Sequence, residues 1–330
     1  MIDTLYTSKQ SKNKLEQTRF GIFYPLATTA TNLGGYDEVL KIIAKADKDK
    51  LDFFWTSEIK GNNLDSTYNN PSIVNAALAI ATSEIEVRGE SAITSNQDPL
   101  RITEEWSVID NTSKGRIGLS IIGTDTTEAE QKKIERKIKT IRDLWQGGSL
   151  ARKNGAGKEV SLKTFPKPIK KELPLWISIK DNNPNMYIMP GTVGANILIY
   201  YSGETIEELE ENIKIYKRAY KNENIAEGTI SLVVPAYILS KEEELKANNN
   251  KELNQYMDYI ESFYKIIFNR DLEEKFKYSF YENSLIGTKK FCEELFQKIS
   301  TIGVNEIVGV VAPNTNTNKT LEVLSFLKNQ

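Results

Sequence analysis

Short apolar runs alternate with longer amphipathic stretches along nearly the whole chain. Phe20-Gly21-Ile22-Phe23-Tyr24 reads as a first strand stopped by Pro25, which has no N–H to give a ladder. After Gly34-Gly35, the positions Val39, Leu40, Ile43, Ala44 and Ala46 fall on one face of a helix. Leu51–Trp55 forms the second strand, and Pro71 suits the first turn of a helix carrying Ile73, Val74, Ala77, Leu78 and Ile80. The alternating run Ile85–Ile93 is the third strand, Pro99–Ile109 its helix, and Arg116–Ile122 the fourth strand. Thr127 and Glu130 have the spacing of a capping box ahead of Ile134, Ile138, Ile141 and Trp145, and Gly147-Gly148 stops that helix.

Residues 149–173 break the alternation. A Gly155-Ala156-Gly157 turn between two polar, strand-like stretches predicts a small hairpin lying over the barrel. The pattern then resumes with strands at Leu175–Ile179, Ala195–Tyr201 and Thr229–Leu239. Thr205 and Glu208 cap the helix bearing Ile206, Leu209, Ile213, Tyr216 and Tyr220. A long helical region spans about residues 241–281, a helix runs from Thr288 to Ile302, and the last strand, Glu306–Ala312, precedes a short helix at Thr320–Leu327. Each strand is followed by a crossover helix, which requires a parallel sheet. Eight such units favour a closed (β/α)8 barrel, an α/β TIM barrel, over an open doubly wound sheet, and no Gly-x-Gly-x-x-Gly turn follows the first strand. The expected organisation is a polar segment at 1–18 and one barrel domain at 19–330. A hairpin excursion follows the fourth helix, and a long helical insertion precedes the eighth strand.

Composition narrows the chemistry. The chain has no histidine and one cysteine, which excludes Ser-His-Asp and Cys-His catalysis, histidine or thiolate metal sites, and an intrachain disulfide. Cys292 lies among Phe291, Leu295 and Ile299 and reads as a small core residue. Acid–base work falls to carboxylates, Lys, Tyr, water or a cofactor. Lys+Arg 43 against Asp+Glu 45 gives a net charge of -2, so there is no electrostatic case for nucleic acid. Lys132-Lys133 and the lysines of 167–171 read as solvated faces. The polar N-terminal stretch has no signal-peptide core and no run reaches membrane-spanning length; a soluble, cytoplasmic protein is expected.

Ligands of such barrels sit at the C-terminal ends of the strands. After the fifth strand, Ser178, Lys180, Asn182 and Asn183 lead to Pro184. A polar loop entering a helix N-terminus can hold a phosphate on its free N–H groups, with Lys180 supplying charge. Ordinary Asx-turn and capping chemistry accounts for the same residues equally well.

Several segments, in order along the chain, carry a resemblance. They include Asp52-Phe53-Phe54-Trp55-Thr56-Ser57-Glu58, Asn70-Pro71-Ser72, Asp98-Pro99-Leu100-Arg101, Glu104-Glu105-Trp106-Ser107-Val108-Ile109-Asp110-Asn111 and Gly115-Arg116-Ile117-Gly118-Leu119-Ser120. Further matches are Phe165-Pro166-Lys167-Pro168, Leu173-Pro174-Leu175-Trp176, Gly194-Ala195-Asn196 and Leu285-Ile286-Gly287-Thr288. Together they resemble the luciferase-like, flavin-dependent monooxygenases, most closely the branch found in natural-product biosynthesis clusters. The resemblance implies a (β/α)8 barrel that uses reduced FMN, supplied by a separate flavin reductase, with oxygen on a small or carrier-tethered metabolite. It also implies a dimer through the helices beside the second and third strands, here the face of Ile73, Val74, Ala77 and Leu78.

The same resemblance points to site residues. Where the family has Glu-Arg-His-Phe after the second strand, this chain has Glu58-Ile59-Lys60-Gly61. Glu58 and Lys60 are the catalytic candidates, with Lys60 a point charge for an anionic substrate group or a flavin oxygen in place of an imidazole. Glu90 and Ser91 stand where the family keeps small residues against the flavin ring. Ser120-Ile121-Ile122-Gly123-Thr124-Asp125 runs straight into a helix where the family has a Gly-Trp-His-Pro stretch covering the flavin. The implied cofactor-binding set is Glu90, Ser91, Ser120, Ser178, Lys180, Asn182 and Asn183. Three functions follow: an active flavin monooxygenase; a non-catalytic barrel subunit or binding protein paired with an active paralogue, which the three departures favour; or an enzyme repurposed without flavin.

Overall fold

In a strand every second side chain faces the same way, so closing a ring of strands gathers half of their residues into one interior. The computed structural model shows such a ring. It describes residues 18–25, 35–57, 70–91, 97–122, 127–221, 225, 227–241, 243, 250–268, 282–313 and 315–329. The strands are β1 (Arg19–Pro25), β2 (Phe53–Ser57), β3 (Glu86–Ser91), β4 (Ile117–Ile122), β5 (Leu150–Lys153), β6 (Glu159–Leu162), β7 (Leu175–Ile179), β8 (Asn196–Tyr200), β9 (Ile230–Ile238), β10 (Leu285–Gly287) and β11 (Glu306–Val310). The helices are α1 (Gly35–Lys48), α2 (Pro71–Ala81), α3 (Pro99–Ser113), α4 (Glu128–Trp145), α5 (Ile188–Thr192), α6 (Ile206–Ala219), α7 (Lys251–Phe268), α8 (Lys289–Thr301) and α9 (Thr317–Lys328). Eight parallel strands close in the order β1-β2-β3-β4-β7-β8-β9-β11, and β11 pairs back onto β1. The expected barrel is therefore present.

The local signals act as their chemistry requires. Thr205 and Glu208 make both halves of a capping box on α6. Thr127 accepts the Glu130 N–H at the start of α4, and Gly147, at φ +90°, ends it. β5 and β6 form the antiparallel hairpin, with Leu150 opposite Leu162. Arg152 pairs with Asp98 at 3.2 Å, which ties the hairpin to the N-terminus of α3 at the mouth end of the barrel. Among the described residues no helix is long and apolar enough to cross a membrane.

The structure corrects several details. Pro25 is the last residue of β1, not the first beyond it. On α1 the inward stripe is Val39, Ile42, Ile43 and Ala46, while Leu40 and Ala44 face outward. On α2 Val74, Asn75, Leu78 and Ala79 pack inward, whereas Ile73 and Ile80 remain 69% and 73% exposed. Both differences reflect a stripe of i, i+3, i+4, i+7 positions. β10 is an additional short parallel strand that pairs with Ala236–Ile238 of β9, above the point where β9 leaves β11. Of the long helical region, the described part is α7, which buries Leu253, Tyr256, Ile260, Phe263, Tyr264 and Ile267. At the fork, the Tyr256 hydroxyl accepts the Ala236 N–H (2.8 Å) and donates to the Val310 carbonyl (3.0 Å).

A charged cluster fills the closed end of the barrel. Arg88 of β3 is 1% exposed and reaches Glu306 of β11 at 2.6 Å and Glu86 at 2.7 Å. Because β1 and β2 separate β3 from β11, that contact spans the interior. Arg19 adds pairs to Glu86 (2.8 Å) and Glu306 (3.1 Å). The Arg88 guanidinium also lies over the rings of Phe53 (4.2 Å) and Trp176 (4.5 Å). Gly118 has to be small here, since a Cβ would come within 2.8 Å of Trp176 and 3.0 Å of Arg88. Burial alone would raise the Glu86 pKa, but Arg88 and Arg19 outweigh it and hold the carboxyl below its ordinary range.

Replacing Arg88 with Met leaves two carboxylates without their principal partner, and a loss of about 3–5 kcal/mol is expected in urea denaturation at neutral pH. The depressed folded pKa of Glu86 contributes stability above its unfolded value, and that contribution disappears as pH falls through the folded one. Wild-type stability should therefore drop on acidification below the ordinary glutamate range, and the Met variant should show a shallower drop.

Candidate functional site at the barrel mouth

β3 sends a second charge inward two residues after Arg88. The register sets Glu90 between Ser57 of β2 and Ser120 of β4. Glu90 is 0% exposed. Its Oε2 accepts hydrogen bonds from Ser57 Oγ (2.5 Å) and from the Tyr200 hydroxyl (2.7 Å). Its Oε1 accepts one from Ser178 Oγ and lies 3.9 Å from Lys180 Nζ. Since Ser178 already donates to Glu90, it accepts from Ser120 at 2.8 Å. Burial, and after it the Glu90 carboxylate, pushes the Tyr200 phenol well above its ordinary pKa, so Tyr200 stays a donor. Ser57, Glu90, Ser120, Ser178 and Tyr200 all lie within two residues of the C-terminal end of a strand, and Lys180 directly follows β7.

The other side of the mouth is aromatic. Phe23 of β1 and Tyr200 of β8 meet edge to face at 5.6 Å. α7 lays Phe263 on both, at 5.7 Å from Phe23 and 6.3 Å from Tyr200. Lys180 Nζ stands 5.5 Å from the Tyr200 ring centroid. The floor is thus divided into hydroxyls, a carboxylate and an ammonium from β2, β3, β4 and β7, and aromatic faces from β1, β8 and α7. Phe23, Tyr200 and Phe263 are themselves buried, at 0%, 1% and 3% exposure, whereas the Lys180 side chain is 19% exposed and faces a ligand at the mouth. Lys180 is the group that would meet the ring oxygens of a flavin, because the hydroxyls of Ser57, Ser178 and Tyr200 are engaged with Glu90.

A family model described as luciferase-like monooxygenase matches residues 18–306. The chain belongs to the luciferase-like monooxygenase family. Solved structures agree in fold. Monooxygenase RslO1 from Streptomyces bottropensis is 14% identical, with a TM-score of 0.73 over 94% of this chain and 98% of that one. The oxygenating constituent of 3,6-diketocamphane monooxygenase from Pseudomonas putida, solved in complex with FMN, is 13% identical, with a TM-score of 0.72 over 94% and 97%. An F420-dependent secondary alcohol dehydrogenase is 15% identical, with a TM-score of 0.67 over 94% and 99%. No curated protein matches the sequence.

In this luciferase-like chain, Glu90, Ser120, Ser178 and Lys180 come together as described. Ser91 does not join them. Strand alternation turns it outward, into a cavity of about 220 Å³ lined by Asn70, Ser72, Arg101, Glu105 and Trp106 among others. Asn183 caps the 3-10 turn Pro184–Tyr187 by accepting the Asn185 N–H, so the capping reading describes its side chain, while Asn182 accepts from the side-chain amide of Asn212 on α6. Glu58 and Lys60, and residues 123–126 after β4, lie outside the described residues.

Two site residues escape the sequence reading, and a further buried carboxyl lies beyond the cluster. Ser57 and Tyr200 belong to the Glu90 cluster, and their signal is inward parity at a strand end. Glu204, after β8, is 4% exposed. It accepts the Ser202 N–H (2.9 Å) and hydroxyl (2.6 Å), and burial pushes its pKa up.

Replacing Glu90 with Leu strands three buried hydroxyl donors, each worth about 1–3 kcal/mol when unsatisfied. Chemical denaturation should show a loss near the middle of that summed range. Glu90→Gln, which keeps the shape and one acceptor oxygen, should lose less.

Proposed function

We propose that the chain is a flavin-dependent monooxygenase that binds reduced FMN delivered by a separate reductase and acts with oxygen on a small or carrier-tethered metabolite of specialised metabolism. Family membership supports the reaction class. The observation that carries the reading within this chain is the partly exposed Lys180 ammonium set over the buried Glu90 at the barrel mouth. When bound, the flavin supplies the oxygen-activating chemistry. The protein's part is to offer the ring the Lys180 ammonium at the mouth and to exclude water. Glu58 and Lys60, which follow β2, are assigned to the reacting side by the resemblance alone. Anaerobic titration with photoreduced FMN, followed by fluorescence, should give saturable binding in the micromolar range, weakened at least tenfold by Lys180→Met. Absence of binding would sink the proposal.

One observation favours the second reading, a barrel that binds without catalysing. Three hydroxyls are committed to Glu90, and among the described residues of the floor Lys180 is the proton-bearing group without a hydrogen-bond acceptor within reach. Flavin binding with no substrate-dependent oxygen uptake, together with copurification of a histidine-containing paralogue, would establish it.

We further propose that α2 forms the contact of a homodimer, or of a heterodimer with such a paralogue. Ile73, Ala77 and Ile80 form an outward apolar stripe at helical spacing, and Val108 on α3 is also exposed. Val74 and Leu78, by contrast, pack inside. The double substitution Ile73→Asp, Ile80→Asp should shift the species seen by light scattering from dimer to monomer while leaving the melting profile of the fold intact.

A further inference from the structure

We propose that the Lys180–Glu90 pair makes the mouth selective for a ligand presenting a neutral carbonyl oxygen over one presenting an anion. The inference rests on the mouth being the ligand site. A lone ammonium in a barrel mouth would attract carboxylates and phosphates. Here the charge is already matched: Glu90 is fully buried and its Oε1 lies 3.9 Å behind Lys180 Nζ. Ser57, Ser178 and Tyr200 all donate into that carboxyl group, so both of its oxygens act as acceptors beneath Lys180. An incoming anion would therefore be desolvated against a pair of zero net charge, with the negative member fixed beneath it. A neutral carbonyl takes a charge-assisted hydrogen bond from the same ammonium without adding a charge to the site. The ammonium has three donors, and its side chain is 19% exposed, enough to present one of them.

The pair benzamide and benzoate tests this with nearly equal shapes and different charge. Protection of Lys180 from acetylation is measured by mass spectrometry on flavin-free protein. In the wild type, benzamide should protect at concentrations at least tenfold below those of benzoate. In Glu90→Gln, which keeps the shape and one acceptor oxygen and removes the charge, the order should reverse. Equal protection by both probes in the wild type, protection by neither, or an unchanged preference in Glu90→Gln overturns the proposal. Lys180→Gln gives an independent arm on a partly exposed residue. Tryptophan-fluorescence titration of that variant should show benzamide affinity reduced at least tenfold, and an unaltered titration likewise overturns the proposal. Failure of FMN to bind while the probe preference holds would discard only the flavin reading. FMN binding without a probe preference would discard only this one.

Discussion

Closure of the barrel obliges β3 to place Arg88 and Glu90 in the same interior, because they are two residues apart on one strand. Neither charge has bulk water to solvate it, so the surrounding side chains have to. At the closed end, two carboxylates and the faces of Phe53 and Trp176 surround the guanidinium. At the mouth, three hydroxyls and one ammonium surround the carboxylate. Residues with no obvious connection in the sequence follow from these two charges. Gly118 leaves room for Arg88 and Trp176. Ser57, Ser120 and Ser178 take inward positions that an all-apolar barrel would give to branched aliphatic side chains.

The alternation of strands and helices is legible because it is repeated, and one misjudged boundary does not alter the count of eight. Single faces are harder to read. Leu40, Ala44, Ile73 and Ile80 are apolar yet turned outward, since Ala, Leu and Ile report only weakly on which of two adjacent helical stripes meets the barrel. β10 has three residues, too few for a periodic signal.

Four of the six members of the Glu90 cluster, Glu90, Ser120, Ser178 and Lys180, are polar residues at or just after strand ends and stand in the sequence reading. Ser57 is missed because the second strand is read as ending at Trp55, and Tyr200 because a tyrosine in an apolar run looks like core. Ser91 is included through its neighbour, although alternation sends adjacent residues to opposite faces. The contact of Glu90 with Ser178 and Tyr200, 88 and 110 residues away, depends on the shear of the closed sheet and has no local signature.

The hydroxyl of Tyr256, set between the Ala236 N–H and the Val310 carbonyl, has a mechanical consequence. It replaces a rung of the ladder where β9 and β11 part, so α7 is stitched into the wall of the barrel. Swinging α7 away would unzip a backbone seam and pull Phe263 from Phe23 and Tyr200. The helix therefore acts as a jamb beside the opening, its place fixed by the same seam that holds the wall.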